Sequence, residues 1–198
     1  MRRLLIATHN KHKLREFRDV FAALPLELVS LDDAEVRLVV DETGQTFKEN
    51  AVLKARGYSA ASGLLTLADD SGIEVDALQG APGVMSSRFA GPAATADERN
   101  RLLLERLQGV LPERRRARYR CVIAIAQPAG DVKTVEGTCE GQIALAPRGS
   151  GGFGYDPIFY VPEFGRTMAE LPAEQKHRLS HRGIAARKAA MVLWKIVG

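Results

Sequence analysis

Two adjacent acids, Asp69 and Asp70, stand directly after the apolar run 64–68 and before Ser71 and Gly72. Carboxylates at the carboxyl end of a buried strand occupy the place where α/β sheets keep their ligands. Their oxygens suit Mg2+, which is usually held by one or two carboxylates together with substrate phosphate. The same four residues also read as an Asp-Ser-Gly turn capped by one acid. A second acidic pair, Asp41 and Glu42, follows the apolar run 38–40. It offers a further metal ligand, or simply a solvated loop.

Four other blocks carry donors. Thr8, His9, Asn10, Lys11, His12 and Lys13 follow a short apolar run and open a helical pattern. Backbone N–H groups and the positive end of a helix attract phosphate there, although Asn10 also fits a plain N-cap. The Gly-x-x-x-x-Gly-Lys-Ser/Thr pattern of a P-loop is absent. Residues 149–154 match Gly-x-Gly-x-x-Gly by letter, but Tyr155, Asp156 and Pro157 follow where a dinucleotide site needs a helix. That stretch reads as a loop approaching a ligand through its backbone, with Phe153 and Tyr155 free to stack on a base, or as a hairpin tip with one aromatic in the core. Lys176, His177, Arg178, Ser180, His181 and Arg182 suit phosphate or carbonyl oxygens, or begin a basic helix. Five arginines lie between positions 114 and 120. They fit a nucleic-acid contact, or a solvated loop leading into an edge strand whose charges block aggregation.

The elements that must position these groups alternate between strand and helix. Residues 4–7 read as a buried strand, 11–23 as an amphipathic helix ended by Pro25, and 26–31 as a second strand. Residues 46–62 read as a helix with Gly63 as C-cap, 64–68 as a strand and 97–107 as a third helix. Residues 119–127 and 132–145 read as antiparallel strands joined by a turn at 128–131, and 184–197 as a closing helix. This order predicts an α/β fold with a mixed sheet flanked by helices.

Composition narrows the class. At 198 residues, 45% hydrophobic and 26% charged, the chain is expected to fold as one soluble domain with no separable linker. The formal charge of +4 fits an anionic ligand without requiring one. Cys121 and Cys139, the only cysteines, are too few for a disulfide scaffold and read as reduced thiols. No stretch approaches the length of a membrane span, and no secretory signal is legible, so a cytoplasmic protein is expected.

Seven blocks stand in register: Ala7-Thr8-x-Asn10-x-x-Lys13, Glu42-Thr43-Gly44-x-Thr46-Phe47-x-Glu49-Asn50-Ala51, Lys54-Ala55, Ala68-Asp69-Asp70-Ser71-Gly72, Gly80-Ala81-Pro82-Gly83-Val84, Gly151-Gly152-Phe153-Gly154-Tyr155-Asp156-Pro157-Ile158-Phe159 and Ser180-His181-Arg182-Gly183. Together they resemble the inosine triphosphate pyrophosphatase family, also called Ham1-like or non-standard purine nucleoside-triphosphate pyrophosphatases. The resemblance runs over nearly the whole chain. It implies an elongated two-lobed α/β fold with a nucleotide cleft between the lobes. It also implies a homodimer with residues 80–91 near the contact, and hydrolysis of ITP, dITP or XTP to the monophosphate and pyrophosphate with Mg2+, or Mn2+ in its place. Carried over residue by residue, it makes Asp70 the general base, and Glu42 and Asp70 the metal ligands with Asp69 close by. Thr8 to Lys13 become the triphosphate loop, with a contact from Ser71. Phe153, Gly154, Tyr155, Asp156, Lys176, His181 and Arg182 become the base and sugar site, and Lys54 a charge-neutralising lysine. His9 departs from the Gly or Ser common at its position. Two rivals stand beside this reading. A Maf-like pyrophosphatase would prefer other nucleotides, and the block from Phe153 to Asp156 argues against it. A nucleic-acid-binding module built on residues 114–120 leaves the acids at 69 and 70 unexplained. Neither nucleic acid nor membrane is an expected partner.

Overall fold

A computed structural model describes residues 1–197; Gly198 lies outside the described residues. Strand β1 (Arg2–Ile6), helix α1 (Lys11–Phe21) and strand β2 (Leu26–Ser30) form the opening unit, followed by α2 (Phe47–Ser62) and β3 (Leu65–Val75). Helix α3 (Ala96–Arg106), strands β4 (Arg116–Ala126), β5 (Val132–Ile143), β6 (Phe159–Val161) and β7 (Arg166–Thr167), and helices α4 (Ala173–Leu179) and α5 (His181–Val197) complete the order. The seven strands form one sheet in the order β2-β1-β3-β4-β5-β6-β7. Strand β1 pairs in parallel with both β2 and β3, and β6 is antiparallel to both β5 and β7, so the sheet is mixed as expected.

Local chemistry sets the helix ends. Asn10 caps α1, its side chain accepting from the N–H groups of His12 and Lys13. Thr46 and Glu49 form a reciprocal capping box at the start of α2, satisfying two otherwise orphaned donors. Gly63 ends that helix with φ +67°, a conformation only glycine adopts without penalty.

Three readings shift. Strand β3 does not stop before the acids: Asp69, Asp70, Ser71 and Gly72 lie inside it. Their turn-forming residue types are overridden because the strand is flanked by β1 and β4 in the sheet. Strand β4 is likewise interior rather than an edge, and three arginines of this run, Arg115 just before the strand and Arg118 and Arg120 within it, have structural partners. Arg115 is buried and donates to the carbonyls of Leu107, Val110 and Ala144. Arg118 pairs with Asp76 and Glu140, and Arg120 with Glu74. Helix α5 begins at His181, so the basic block falls across α4 and the start of α5.

The chain divides into two compact units. The first comprises residues 1–70, 121–137 and 181–198, the second 71–120 and 138–180. The core of the first is built from Leu4, Ile6, Phe17, Phe21, Leu65, Leu67 and Ile123, closed by Ala185, Ala189 and Leu193 of α5. The core of the second gathers Ile73, Val75, Leu103, Leu107, Tyr119, Ile158 and Phe159. No helix among the described residues is long and apolar enough to cross a membrane.

Candidate active site

In the first unit, β1 and β3 run in parallel with Leu4 opposite Leu65 and Ile6 opposite Leu67. The Ala7 N–H continues this ladder by donating to the Leu67 carbonyl at 2.8 Å. That register brings the loop after β1 level with the acids of β3. Lys13, one turn into α1, places its ammonium 2.8 Å from Asp69 Oδ2. Arg182, from the first turn of α5, lies 3.6 Å from the same oxygen and donates to Glu16 Oε2 at 2.8 Å. Asp69 is only 2% exposed. Burial opposes its ionisation, but Lys13, Arg182 and Lys54 outweigh that and hold the carboxyl well below the usual carboxylate range. Cys121 Sγ stands 3.8 Å from Asp69 Oδ2, and burial pushes this thiol far up, so it is an inert, reduced neighbour.

Asp70 meets a different set of partners. Asn50 Nδ2 donates to its Oδ2 at 3.1 Å, and Lys54 Nζ lies 3.7 Å from its Oδ1. The same ammonium donates to Glu42 Oε1, so two carboxylates converge on one cation. Burial raises the Asp70 carboxyl, Lys54 opposes the rise, and Glu42 reinforces it; the net direction is upward. Lys54 is shifted upward too, because Asp70, Asp69 and Glu42 together overcome the burial that disfavours its charge. An acid that is raised, partly screened and still held by hydrogen bonds is a stronger base than a free aspartate.

The remaining loop residues are placed as follows. The Thr8 hydroxyl accepts from the Asn10 N–H at 3.2 Å, stiffening the turn into α1. His9 Nε2 is 3.4 Å from the Tyr58 hydroxyl, and the two rings meet edge-on. Lys11 and His12 are exposed on the first turn, and Ser71 is half-buried on β3. His181 is buried at the start of α5.

In the second unit, the loop 151–157 is built around Asp156. Its Oδ2 accepts from the Phe153 N–H at 2.9 Å and from Lys176 Nζ at 2.6 Å, while its Oδ1 accepts from the Tyr119 hydroxyl. The Lys176 ammonium also stands 5.2 Å from the centre of the half-buried Phe153 ring. Gly152 has φ +77°, and any Cβ there would run into the Asp156 carboxylate, so the tight wrap of this loop needs glycine. Asn100 holds the Gly154 carbonyl from α3. Tyr155 is the aromatic tucked into the core, 4% exposed, with its hydroxyl donating to the Ser86 carbonyl. The loop thus presents Phe153 and Lys176 on a rigid base and anchors itself through Tyr155.

Among the described residues no three His, Cys, Asp or Glu side chains cluster as a complete metal cage. Two hard carboxylates facing one cation nevertheless match what Mg2+ needs when phosphate oxygens complete its shell. Sequence reasoning did not assign roles to Asn50, Glu16, Tyr119 or Asn100. Asn50 and Asn100 carry a weak signal, since a polar amide on the inner face of a helix needs a partner. Glu16 is 166 residues from Arg182 in the chain, and nothing local foretells their pairing.

The Ham1 family model matches residues 4–192. This chain belongs to the Ham1 family. It is 49% identical over 191 residues to the dITP/XTP pyrophosphatase of Desulforamulus reducens, covering 96% of this chain and 95% of that one. It is also 49% identical to the dITP/XTP pyrophosphatase of Geobacillus kaustophilus, covering 100% and 97%. The structure of the HAM1 protein from Coxiella burnetii superposes with a TM-score of 0.91 at 42% identity, covering 98% of this chain and 100% of that one. The Staphylococcus aureus Ham1 protein gives 0.90 at 38% identity with the same coverage.

Proposed function

We propose that this Ham1 protein hydrolyses non-standard purine nucleoside triphosphates, dITP, ITP and XTP, to the monophosphate and pyrophosphate, removing them from the nucleotide pool. The observation that carries this reading is the convergence of Glu42 and Asp70 on the Lys54 ammonium, in a chain whose relatives are named for that activity. The match to the Ham1 model over 4–192 favours it over a Maf-like enzyme.

Glu42 and Asp70 are the residues that would hold Mg2+, or Mn2+ in its place. A bound divalent ion polarises phosphoryl oxygens and neutralises charge as it develops. Asp70 accepts a proton from water as the water oxygen bonds to the α-phosphorus; the α–β bridging bond breaks and pyrophosphate leaves with the electron pair. The loop from Thr8 to Lys13, with Ser71, holds the triphosphate, and Lys54 balances the carboxylates before the ligand arrives. Phe153 stacks on the base, while Gly154, Tyr155, Asp156 and Lys176 shape and support that base-binding loop.

The test is product analysis. With ITP and Mg2+ the protein is expected to release IMP and pyrophosphate in equal amounts, and EDTA to stop the reaction. Accumulation of IDP and orthophosphate would mean that water attacks a different phosphorus and would overturn the mechanism. We further propose a cytoplasmic homodimer with residues 80–91 near the contact, consistent with the exposed Met85 in that stretch. Light scattering that returns a single chain would remove the dimer without touching the chemistry.

A further inference from the structure

Asn50 is fully buried, four residues past the cap of α2, and each end of its amide has a partner. Its Nδ2 donates to Asp70 Oδ2 at 3.1 Å, and its Oδ1 accepts from the Gly44 N–H at 2.8 Å. Gly44 lies two residues beyond Glu42. A ring therefore closes through the site. It runs from Glu42 to Lys54 by an ion pair, from Lys54 to Asp70 across 3.7 Å, from Asp70 to Asn50 and from Asn50 to Gly44 by hydrogen bonds, and back to Glu42 along the backbone.

We infer that Asn50 is a positioning residue for the reaction, one that fixes the Asp70 carboxylate and the segment bearing Glu42 in a single geometry. This inference rests on the reading of Asp70 as base and of Glu42 and Asp70 as metal ligands. Three features support it. Asparagine is a poor helix former, so its place at a buried helical position depends on its side-chain bonds. Only a side chain that donates at one end and accepts at the other serves both partners; aspartate would turn an oxygen towards Asp70, and leucine would leave the Gly44 N–H unpaired. The amide is also neutral. It orients the carboxylate without adding a second positive charge beside the Lys54 ammonium. The backbone is fitted to this contact: a Cβ on Gly44 would come within 2.8 Å of Asn50 Oδ1 and 2.6 Å of Glu49 Cβ, so segment 42–44 rides directly on the asparagine.

Partners that orient a metal ligand typically change activity or metal affinity by about 10- to 100-fold when removed. Two variants separate the roles. Asn50→Ala removes both bonds; Asn50→Asp keeps the size and the acceptor for Gly44 but loses the donor to Asp70. For both, kcat with ITP is expected to fall by about 10- to 100-fold, while KM for ITP stays near wild type because the phosphate loop and the base loop are intact. A second readout is Mn2+ binding, followed by electron paramagnetic resonance with α,β-methylene ITP bound. Asn50→Ala should weaken it. Asn50→Asp should not, since it adds a carboxylate, yet its kcat should still fall. A purely structural role would lower the melting temperature and leave kcat of the folded protein unchanged. Wild-type kcat in folded Asn50→Asp would overturn the inference, and this variant decides the matter if Asn50→Ala does not fold. The underlying reading has its own control. Should wild type make no IMP and pyrophosphate, or folded Asp70→Asn keep its turnover, that reading fails; should both controls behave and Asn50→Asp remain fully active, the positioning role alone fails.

Discussion

Lys13 Nζ and Asp69 Oδ2 form a 2.8 Å ion pair that ties the first turn of α1 to the middle of β3. Arg182 reaches the same oxygen from α5, so a single buried carboxylate organises two cations from opposite ends of the chain. Lys13 keeps its side chain 16% exposed, and the ion pair sets its direction.

Asp69 should therefore govern stability more than turnover. Removing one partner of a buried ion pair costs about 3–5 kcal/mol because the other charge is left uncompensated. Asp69→Asn is expected to lose stability of about that size at neutral pH, measured by urea unfolding. The pH dependence has a definite sign. The folded carboxyl lies below its ordinary value of 3.8, so its contribution is present above that value and is lost as pH falls through the lower, folded one. The gap between wild type and variant should be constant from pH 7 to about 5 and narrow only in strong acid. Equal urea midpoints at pH 7 would refute this account.

Asp70 should govern turnover. Asp70→Asn keeps the shape and loses both the charge and the proton acceptor. A positioned general base contributes at least about 10²-fold, and a loss of that size is expected with the fold retained. Circular dichroism and melting curves serve as controls. Near-normal turnover by folded Asp70→Asn would remove the assignment.

The base loop should set the order of substrates. Hypoxanthine and xanthine offer a carbonyl acceptor at C6, whereas adenine offers an amino donor. Lys176 carries only donors, and Asp156 fixes its direction. A site that hydrogen-bonds its substrate can reject a mismatched group by roughly 10⁴-fold, because both sides are left with unpaired polar atoms. Guanine shares the C6 carbonyl and is disfavoured only through its 2-amino group, which needs room and an acceptor, so ITP and XTP should lead, GTP should follow, and ATP and pyrimidine triphosphates should come last. Phe153→Ala should raise KM across the whole panel and leave the order unchanged, since every base has a face to stack. Lys176→Met should narrow the ratio of kcat/KM between ITP and ATP. If wild-type protein uses ATP about as well as ITP, this account of the base site is wrong.

Much of the fold is legible in the amino-acid sequence. The capped helices and the apolar strands carry strong local signals, so α1, α2, β1, β2 and the start of β3 appear near their expected positions. The misreadings have one physical source, which is that tertiary partners override local propensity. Asp69 to Gly72 look like a turn, yet β1 and β4 hold them as strand. The arginines at 114–120 look like a solvated or polyanion-binding run, yet Arg115 caps carbonyls in the interior, and Arg118 and Arg120 pair with acids on β3, β5 and the segment after β3. Around the acid pair, residue types single out Asp70, Glu42 and Lys13 as candidates, whereas the Asn50 and Glu16 contacts arise only from how helices pack on the sheet.

The placement of Asp69 and Asp70 inside a strand has a consequence for how identical side chains acquire different chemistry. Successive residues of a strand project to opposite faces. Leu65 and Leu67 share the face of Asp69 and fill the core against α1 and α5, so Asp69 is the position at which that apolar stripe turns ionic and meets Lys13 and Arg182. Asp70 faces α2, where Asn50 and Lys54 await it. The pleat thus acts as a sorter: one aspartate meets Lys13 and Arg182, which hold its carboxyl low, and its neighbour meets Asn50 and Lys54 with its carboxyl shifted upward. No feature of either amino acid distinguishes them. Their partners depend on an even or odd count along β3, and a slip of one residue would exchange them.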